Sequence, residues 1–253
     1  MRGNAGSAWD ATVELSIVMP ALNEEAAIAS VVMDHARVAA ELTKSFEIIA
    51  CDDGSTDGTW DVLQRCARSQ RELRVVRHAT NQGIPATMKE LYAAAAGEWT
   101  YFTPTDGQVP ADALRIMWSR RDGLSALVGR RHPRRDDAGR VAQAYAYSLL
   151  VRTLFGLNVR DVDGVKLYRT ADARARRPAS GSVFFEAELL IRIARDGLLV
   201  GETDVPHRPR LGGRAKAVTL RSTTAALRDV AAFALLGPRG QPLPQESPLT
   251  PNS

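Results

Sequence analysis

The stretch Ile48-Ile-Ala-Cys-Asp-Asp-Gly-Ser-Thr-Asp-Gly-Thr59 decides how this chain is read. An apolar run rises straight into two adjacent carboxylates, Asp52 and Asp53, and a Gly-Ser-Thr-Asp turn leads into a helix opening near Thr59 and Trp60. A strand that holds back its charge until its carboxyl end has the pattern of a parallel strand buried on both faces, whose ligand meets it at that end. Two readings of the acids stand side by side. One is a ligand site; the other is an acidic turn in which Ser55 or Asp57 caps the next helix. Taken alone, the segment leaves them even.

Outward from it, strands are predicted over 13–19, 46–51, 73–77, 99–103 and 126–129, with helices over 23–42, 59–70, 83–97 and 111–119 between them. Pro20 is expected to end the first strand, since proline cannot donate to a central ladder. Asn23 is expected to cap the first helix, with Glu24 and Glu25 in its first turn, where the dipole favours acids. This alternation implies an α/β fold with a mostly parallel central sheet covered on both faces. The strand ends at Pro20 to Glu24, Asp52-Asp53, Pro104 to Gln108 and Gly129-Arg130 then converge on one crevice. The second half is less regular: a helix over 141–155, a strand over 165–168, a helix over 184–195, a strand over 198–205 and an amphipathic helix over 220–236. Residues 1–12 read as a loose leader, and the tail 237–253, rich in Pro, Gly, Ser and Gln, as disordered.

At 253 residues, 45% hydrophobic and 25% charged, the chain has ordinary globular composition and can bury one sizeable core. Its 33 basic and 29 acidic side chains leave a mild +4, but arginines crowd 120–140. That suits an anionic substrate or a lipid headgroup; no aromatic-interleaved basic motif points to nucleic acid. Cys51 and Cys66 make no disulfide framework or metal spacing, and Cys51 reads as a buried small hydrophobe. The N-terminus lacks the apolar core of a secretory signal, and no apolar run is long enough to span a bilayer. The expectation is a soluble, cytoplasmic protein with peripheral membrane contact left open.

The segments Ser16-Ile-Val-Met-Pro-Ala-Leu-Asn-Glu24, Cys51 to Thr59, Asn81-Gln-Gly83 and Thr103-Pro-Thr-Asp-Gly-Gln108 together resemble family 2 glycosyltransferases of the GT-A fold. The branch they are most similar to is the dolichyl- or polyprenyl-phosphate mannose synthase type. Arg160-Asp-Val-Asp-Gly-Val-Lys-Leu-Tyr-Arg169, Phe184-Phe-Glu-Ala-Glu-Leu-Leu190 and Pro206 to Arg214 resemble its acceptor side. The resemblance implies one GT-A domain over 13–236, nucleotide-binding to about 130 and acceptor-binding beyond. It implies an inverting transfer of a hexose from a GDP- or UDP-linked donor to a polyprenyl phosphate. A soluble small-molecule or secondary-metabolite acceptor, or a degenerate domain without turnover, are the alternatives.

By that resemblance Pro20, Leu22 and Glu24 flank the base and ribose, and Asp53 accepts from them with Asp52 as the second candidate; Gly83 and Arg210 complete the nucleotide-binding set. Carboxylates suit base N–H and ribose O–H donors and are poor pyrophosphate neighbours. The turn Pro-Ala-Leu-Asn-Glu also lacks the glycines of a dinucleotide fingerprint. The family's Asp-x-Asp metal motif is reduced here to Pro104-Thr-Asp106, leaving Asp106 and Gln108 as ligands for Mg²⁺ or Mn²⁺. An ordinary Asp-Gly-Gln turn is the bland alternative. Arg131, Arg210 and Arg169 are the substrate contacts expected among the arginines, because guanidinium groups match phosphate. Asp161, Asp163, Glu186 and Glu188 are the acid candidates on the acceptor side, with Asp106, Asp163, Glu188 and Arg131 forming the expected catalytic set. Glu188 reads equally as an ion-pair partner of Arg192 one turn on. His207 reads as a structural or phosphate contact.

Overall fold

Residues 13–211 and 220–237 are described by a computed structural model; the expected leader, and the expected tail after Gly237, lie outside them. The strands are β1 (Leu15–Ala21), β2 (Phe46–Asp52), β3 (Leu73–Arg77), β4 (Trp99–Phe102), β5 (Ala126–Arg131), β6 (Val165–Arg169) and β7 (Val200–Val205). The helices are α1 (Ile28–Leu42), α2 (Thr59–Ser69), α3 (Ile84–Ala94), α4 (Asp112–Trp118), α5 (Ala138–Phe155), α6 (Thr170–Ala175), α7 (Phe184–Arg195) and α8 (Leu220–Leu236). All seven strands join one sheet in the order β3-β2-β1-β4-β6-β5-β7. Every pairing is parallel except those of β6, which runs against both β4 and β5. This is the mostly parallel α/β sheet that the resemblance implied.

Alternation along the strands builds the layers. Leu15, Ile17 and Met19 face a core shared with α1, α2 and α4, through Ile28, Val32, Leu63, Leu114 and Met117. Val18 and Ile49 point the other way, against Met88 and Leu91 of α3 and Phe185 of α7. Beyond β5 and β6, α7 is buried along nearly its whole length, and α8 closes over it with Val230 and Phe233. Phe155, Phe184 and Phe233 meet there edge-on or tilted at 5.5–6.0 Å.

Two local expectations are corrected. Pro20 does not end β1; it pairs with Cys51, and the strand runs on to Ala21. Backbone groups alternate sides along a strand, and those of Val18 and Pro20 face β4. β4 has its last pair at Phe102 opposite Val18, so the missing N–H of Pro20 costs no ladder bond. Asn23 does not cap α1, which begins at Ile28 after Ala27. It adopts φ 55, and its side chain accepts from Thr56 N at 2.8 Å in the turn after β2. The short helix α6 was not foreseen.

His35 of α1 is buried, donates Nδ1–H to Val31 O at 2.8 Å and stacks on Tyr101 at 6.0 Å. Its Nε2 is buried with no hydrogen-bond partner among the described residues, and burial drags its pKa down to about 4. A histidine held below its free value leaves the unfolded chain binding more protons between pH 6.5 and 4, so stability falls on acidification through that window. Urea unfolding at pH 7 and pH 4.5 is expected to show a loss on the order of 2 kcal/mol from this group. His35→Leu is expected to remove that share of the acid sensitivity.

Candidate functional site

The carboxyl ends of β2, β1 and β4 lie side by side, and each carries acids. Neighbouring strands sit ~4.8 Å apart, so Asp52-Asp53, Glu24 and Asp106 are gathered across about 10 Å of sheet edge. Their loops are stitched together. Ser55 Oγ accepts from Asn23 N at 2.9 Å, Thr59 Oγ1 from Glu24 N at 2.8 Å, and Pro20 O from Thr105 Oγ1 at 2.9 Å.

Asp52 and Asp53 have different surroundings although both are buried. Asp53 is already engaged: Oδ1 accepts from Gln82 N at 2.7 Å and faces His78 Nδ1 at 2.8 Å, and Oδ2 accepts from Gly83 N at 2.9 Å. Gly83, at φ 86, is the residue before α3, so Asp53 holds the turn that launches that helix. Asp52 Oδ1 accepts from Ser55 N at 2.9 Å. Its Oδ2 lies 3.2 Å from Arg77 Nε, an ion pair by distance without hydrogen-bond geometry, so that oxygen keeps its acceptor capacity. Leu22 is half-buried beside these groups.

A strap after β7 crosses the β4 loop. Arg208 N donates to Gln108 O at 2.8 Å and Leu211 N to Asp106 O at 3.2 Å. Gly107, at φ 75, leaves no room for a Cβ because the Leu211 side chain lies against it. The strap carries Arg210, whose guanidinium bridges Glu24 and Asp106, the latter at 3.1 Å. Three residues that the sequence suggested separately are thus one cluster, with a cation between two acids from different strands. His207 accepts from Arg135 N at 2.9 Å, and desolvation holds its pKa below the ordinary value.

The metal expectation meets a short donor set. Asp106 Oδ1 accepts from Gln108 N at 3.0 Å while Oδ2 faces Arg210, and Gln108 Nε2 turns to Asp136 at 3.3 Å. Among the described residues no three His, Cys, Asp or Glu side chains gather in a way that could hold a metal ion. Asp106 and Gln108 therefore do not fit a resident cation by themselves.

The reversal of β6 brings its amino end, with Asp161, Asp163 and Lys166, to the same edge of the sheet. Gly164 permits this: a Cβ there would run into Gly129 O and Asp161 O. Arg131, at the end of β5, is clamped to Asp161 by three bonds of 2.8–3.1 Å, and Arg134 joins Asp161 to Asp136. Asp163 is solvent-exposed, yet desolvation by the protein around it outweighs Arg131 and Lys166 and lifts its carboxyl above the usual range. The same reversal sends Arg169 to the opposite end of the sheet, opposite Trp99 and 3.4 Å from Glu98, which removes it from the expected substrate contacts. Arg130 pairs outward with Asp204.

Glu188 and Glu186 lie deeper. Glu188 is fully buried and takes Ala179 N, Ser180 N, Ser180 Oγ and Arg192, all within 3.0 Å. With so many donors already on it, Glu188 has the environment of a structural anchor and not of a base, so the i,i+4 partner reading fits. Glu186 takes Tyr92 OH at 2.7 Å, Tyr168 OH at 3.1 Å and the buried Lys166 at 3.1 Å. His78, poised between Asp53 and Glu90, was missed; its place just past the end of β3 was the available signal. A recess among Glu14, Trp99, Trp118 and Arg169 lies at the far end of the strands and contains none of these acids.

Residues 16–180 match the model of the family described as Glycosyl transferase family 2. The chain is 28% identical over 223 residues to Glycosyltransferase AglD of Haloferax volcanii, covering 81% of this chain and only 34% of that relative. It thus spans about a third of AglD's length. It is 28% identical over 208 residues to the Dolichyl-phosphate hexose transferase of the same organism, covering 79% of this chain and 85% of the relative. Glucosyl-3-phosphoglycerate synthase from Mycobacterium tuberculosis, solved with Mn²⁺, UDP and glucosyl-3-phosphoglycerate, shares the fold at TM-score 0.64 and 24% identity, covering 91% of this chain and 81% of that one.

Removing one partner of a buried, hydrogen-bonded ion pair costs about 3–5 kcal/mol. Glu188→Ala is therefore expected to lower stability in thermal or urea unfolding by an amount in that range. Nucleotide affinity of the fraction that stays folded is expected to be unchanged.

Proposed function

The chain belongs to glycosyl transferase family 2, and on that premise we propose that it transfers a hexose from a nucleotide-linked donor to a polyprenyl phosphate, with inversion at the anomeric carbon. The observation that carries this reading is the Arg210 guanidinium held between Glu24 and Asp106 at the edge where β1, β2 and β4 end. Carboxylates at that edge accept from base and ribose, and a strap-borne cation supplies charge for the diphosphate. The Dolichyl-phosphate hexose transferase relative supports the acceptor class.

Asp53 is spent on the 82–83 amides and Asp52 is fully buried beside Arg77, so both serve the donor by holding the strand-end loops in place. When the acceptor oxygen attacks the anomeric carbon from the face opposite the diphosphate, the bond to the diphosphate breaks and the nucleoside diphosphate leaves with the electron pair. A phosphate acceptor arrives already anionic and needs no base; Arg131 and Arg134, held by Asp161 and Asp136, would guide it. Asp163, exposed and with a raised carboxyl, favours a second reading in which a hydroxyl acceptor gives up its proton there.

A divalent ion, as the mycobacterial relative holds with UDP, would find one carboxylate here, Asp106, and would take its remaining oxygens from the donor. Calorimetry with UDP and GDP is expected to show binding of one of them, weakened about tenfold or more by Arg210→Ala. Mn²⁺ titrated into the protein and followed by paramagnetic resonance is expected to stay free until that nucleotide is added. Retention of Mn²⁺ by the protein alone would overturn the donor-completed site.

A lipid-linked acceptor also needs a surface that meets a bilayer. No helix among the described residues is long and apolar enough to cross one. On α5, Tyr145 and Leu149 are 67% and 44% exposed, and on α8, which packs beside it, Leu227 and Leu235 are 50% and 85% exposed. Peripheral contact through this face predicts flotation with anionic liposomes at low salt, reduced several-fold by Leu149→Asp with Leu227→Asp. Absence of flotation in the parent chain would favour the soluble acceptor.

A further inference from the structure

His78 follows β3 directly and is held in a pocket made by three elements. From the end of β2, Asp53 Oδ1 faces Nδ1 at 2.8 Å and Cys51 Sγ lies 3.6 Å from Nε2; from α3, Glu90 Oε2 faces Nε2 at 2.9 Å. Both ring nitrogens thus point at carboxylates, which only accept. A neutral imidazole has one N–H and satisfies one of them; the imidazolium satisfies both. The remaining neighbours do not change this count. Burial pushes the Cys51 thiol up to about 12, so it carries no charge, while Arg77 on the ring's own strand is turned to Asp52 and over Trp60.

The oxygen that His78 meets is the one that also accepts from Gln82 N, and its twin accepts from Gly83 N. The turn so held is wedged against the segment that follows Asp52. A Cβ on Gly54 would lie 2.7 Å from Asn81 N and Thr80 C. α3, which carries Glu90, starts at Ile84, immediately after the same turn. His78 therefore closes a loop of contacts from β2 through the turn and helix back to β2. Losing one proton must open it on one side, at Asp53 or at Glu90.

We propose that His78 is a positioning residue for the nucleotide end of the cleft: as an imidazolium between Asp53 and Glu90 it fixes the 80–83 turn against the Asp52 segment, and donor affinity falls as its proton is lost. This rests on the nucleotide-donor reading above. The sign follows from the surroundings. Burial pulls the ring down, but the bonds and charges of Asp53 and Glu90 prevail and raise its pKa above the ordinary 6.5. The clamp is then complete below pH 6.5 and is lost as pH rises through the higher, folded-state value.

Ring-proton NMR of the full chain from pH 5.5 to 9 would give the His78 midpoint, its signal among the four histidines being identified by its absence in His78→Gln. Calorimetry with UDP and GDP over the same range, and the backbone amide signals of Gln82 and Gly83, give two further curves. A midpoint above 6.5 shared by all three is expected, with affinity falling roughly fivefold or more across it. Glu90→Gln is expected to move all three midpoints to lower pH together, a displacement that a merely structural histidine would not impose on affinity. The proposal is overturned if affinity is flat across the His78 midpoint, if Glu90→Gln moves the ring but not the affinity curve, or if the two amides ignore the ring. Failure of both nucleotides to bind at every pH overturns the donor reading and the affinity claim with it. That outcome is recognised by amide signals that still follow the ring.

Discussion

Where a strand of a parallel sheet ends, its next backbone N–H groups lose the ladder and need another acceptor. At the edge formed by β2, β1 and β4, side chains of the turns supply it. Asp52 takes Ser55 N, Asp53 takes Gln82 N and Gly83 N, Asn23 takes Thr56 N, Ser55 takes Asn23 N, Thr59 takes Glu24 N, and Asp106 takes Gln108 N. This exchange fixes the loops relative to one another, and with them every group the cleft can offer. It also divides the acids. A carboxylate used up on backbone amides, as Asp53 is, is a structural part, whereas Glu24 and Asp106 meet the Arg210 guanidinium at the strand ends.

The alternation of strands and helices was legible because buried parallel strands carry apolar runs, as at 48–51 in β2 and 126–128 in β5, while β3 at the sheet edge carries Arg74 and Arg77 among its apolar residues. The acids after β1, β2 and β4 were legible for the same reason, as charge appears only where the strand reaches solvent. The direction of β6 was not. Five residues, Val165–Arg169, alternate identically whichever way they run, so nothing local distinguishes Arg169 at the cleft from Arg169 at the far end. Pro20 misled because the rule against proline in a central strand concerns a donor that is needed, and here the neighbouring strand has already stopped. Glu188 carried its answer in the Arg192 spacing. His78 and Asn23 depend on contacts more than 10 residues away in sequence, which no window reads.

Charge around the carboxyl ends of the strands follows one pattern. Arg131 with Asp161, Arg134 with Asp136 and Asp161, Arg210 with Glu24 and Asp106, and Lys166 with Glu186 are cations already matched to acids. Such pairing keeps half-buried guanidinium groups from standing uncompensated in a region of low dielectric, where an isolated charge costs several kcal/mol. It also means that an anionic ligand gains little from simple addition to a positive surface. It gains by exchange, a phosphate oxygen replacing a carboxylate oxygen on a fork that is already oriented.

Exchange imposes a condition on where each pair can release its acid. Arg131 is locked by three bonds to an Asp161 that is itself buried, and its surrender would strand that carboxylate. Arg210 is differently placed. Its acids, Glu24 and Asp106, stand at the mouth of the strand ends, and its backbone belongs to a strap tied to the sheet loop by two amide bonds and the Leu211 contact on Gly107. On the proposed reading, a donor entering between Glu24 and Asp106 brings ribose hydroxyls for the first and a diphosphate for the arginine. On that reading, exchangeable charge belongs to the strap, and Arg131 stays fixed to Asp161.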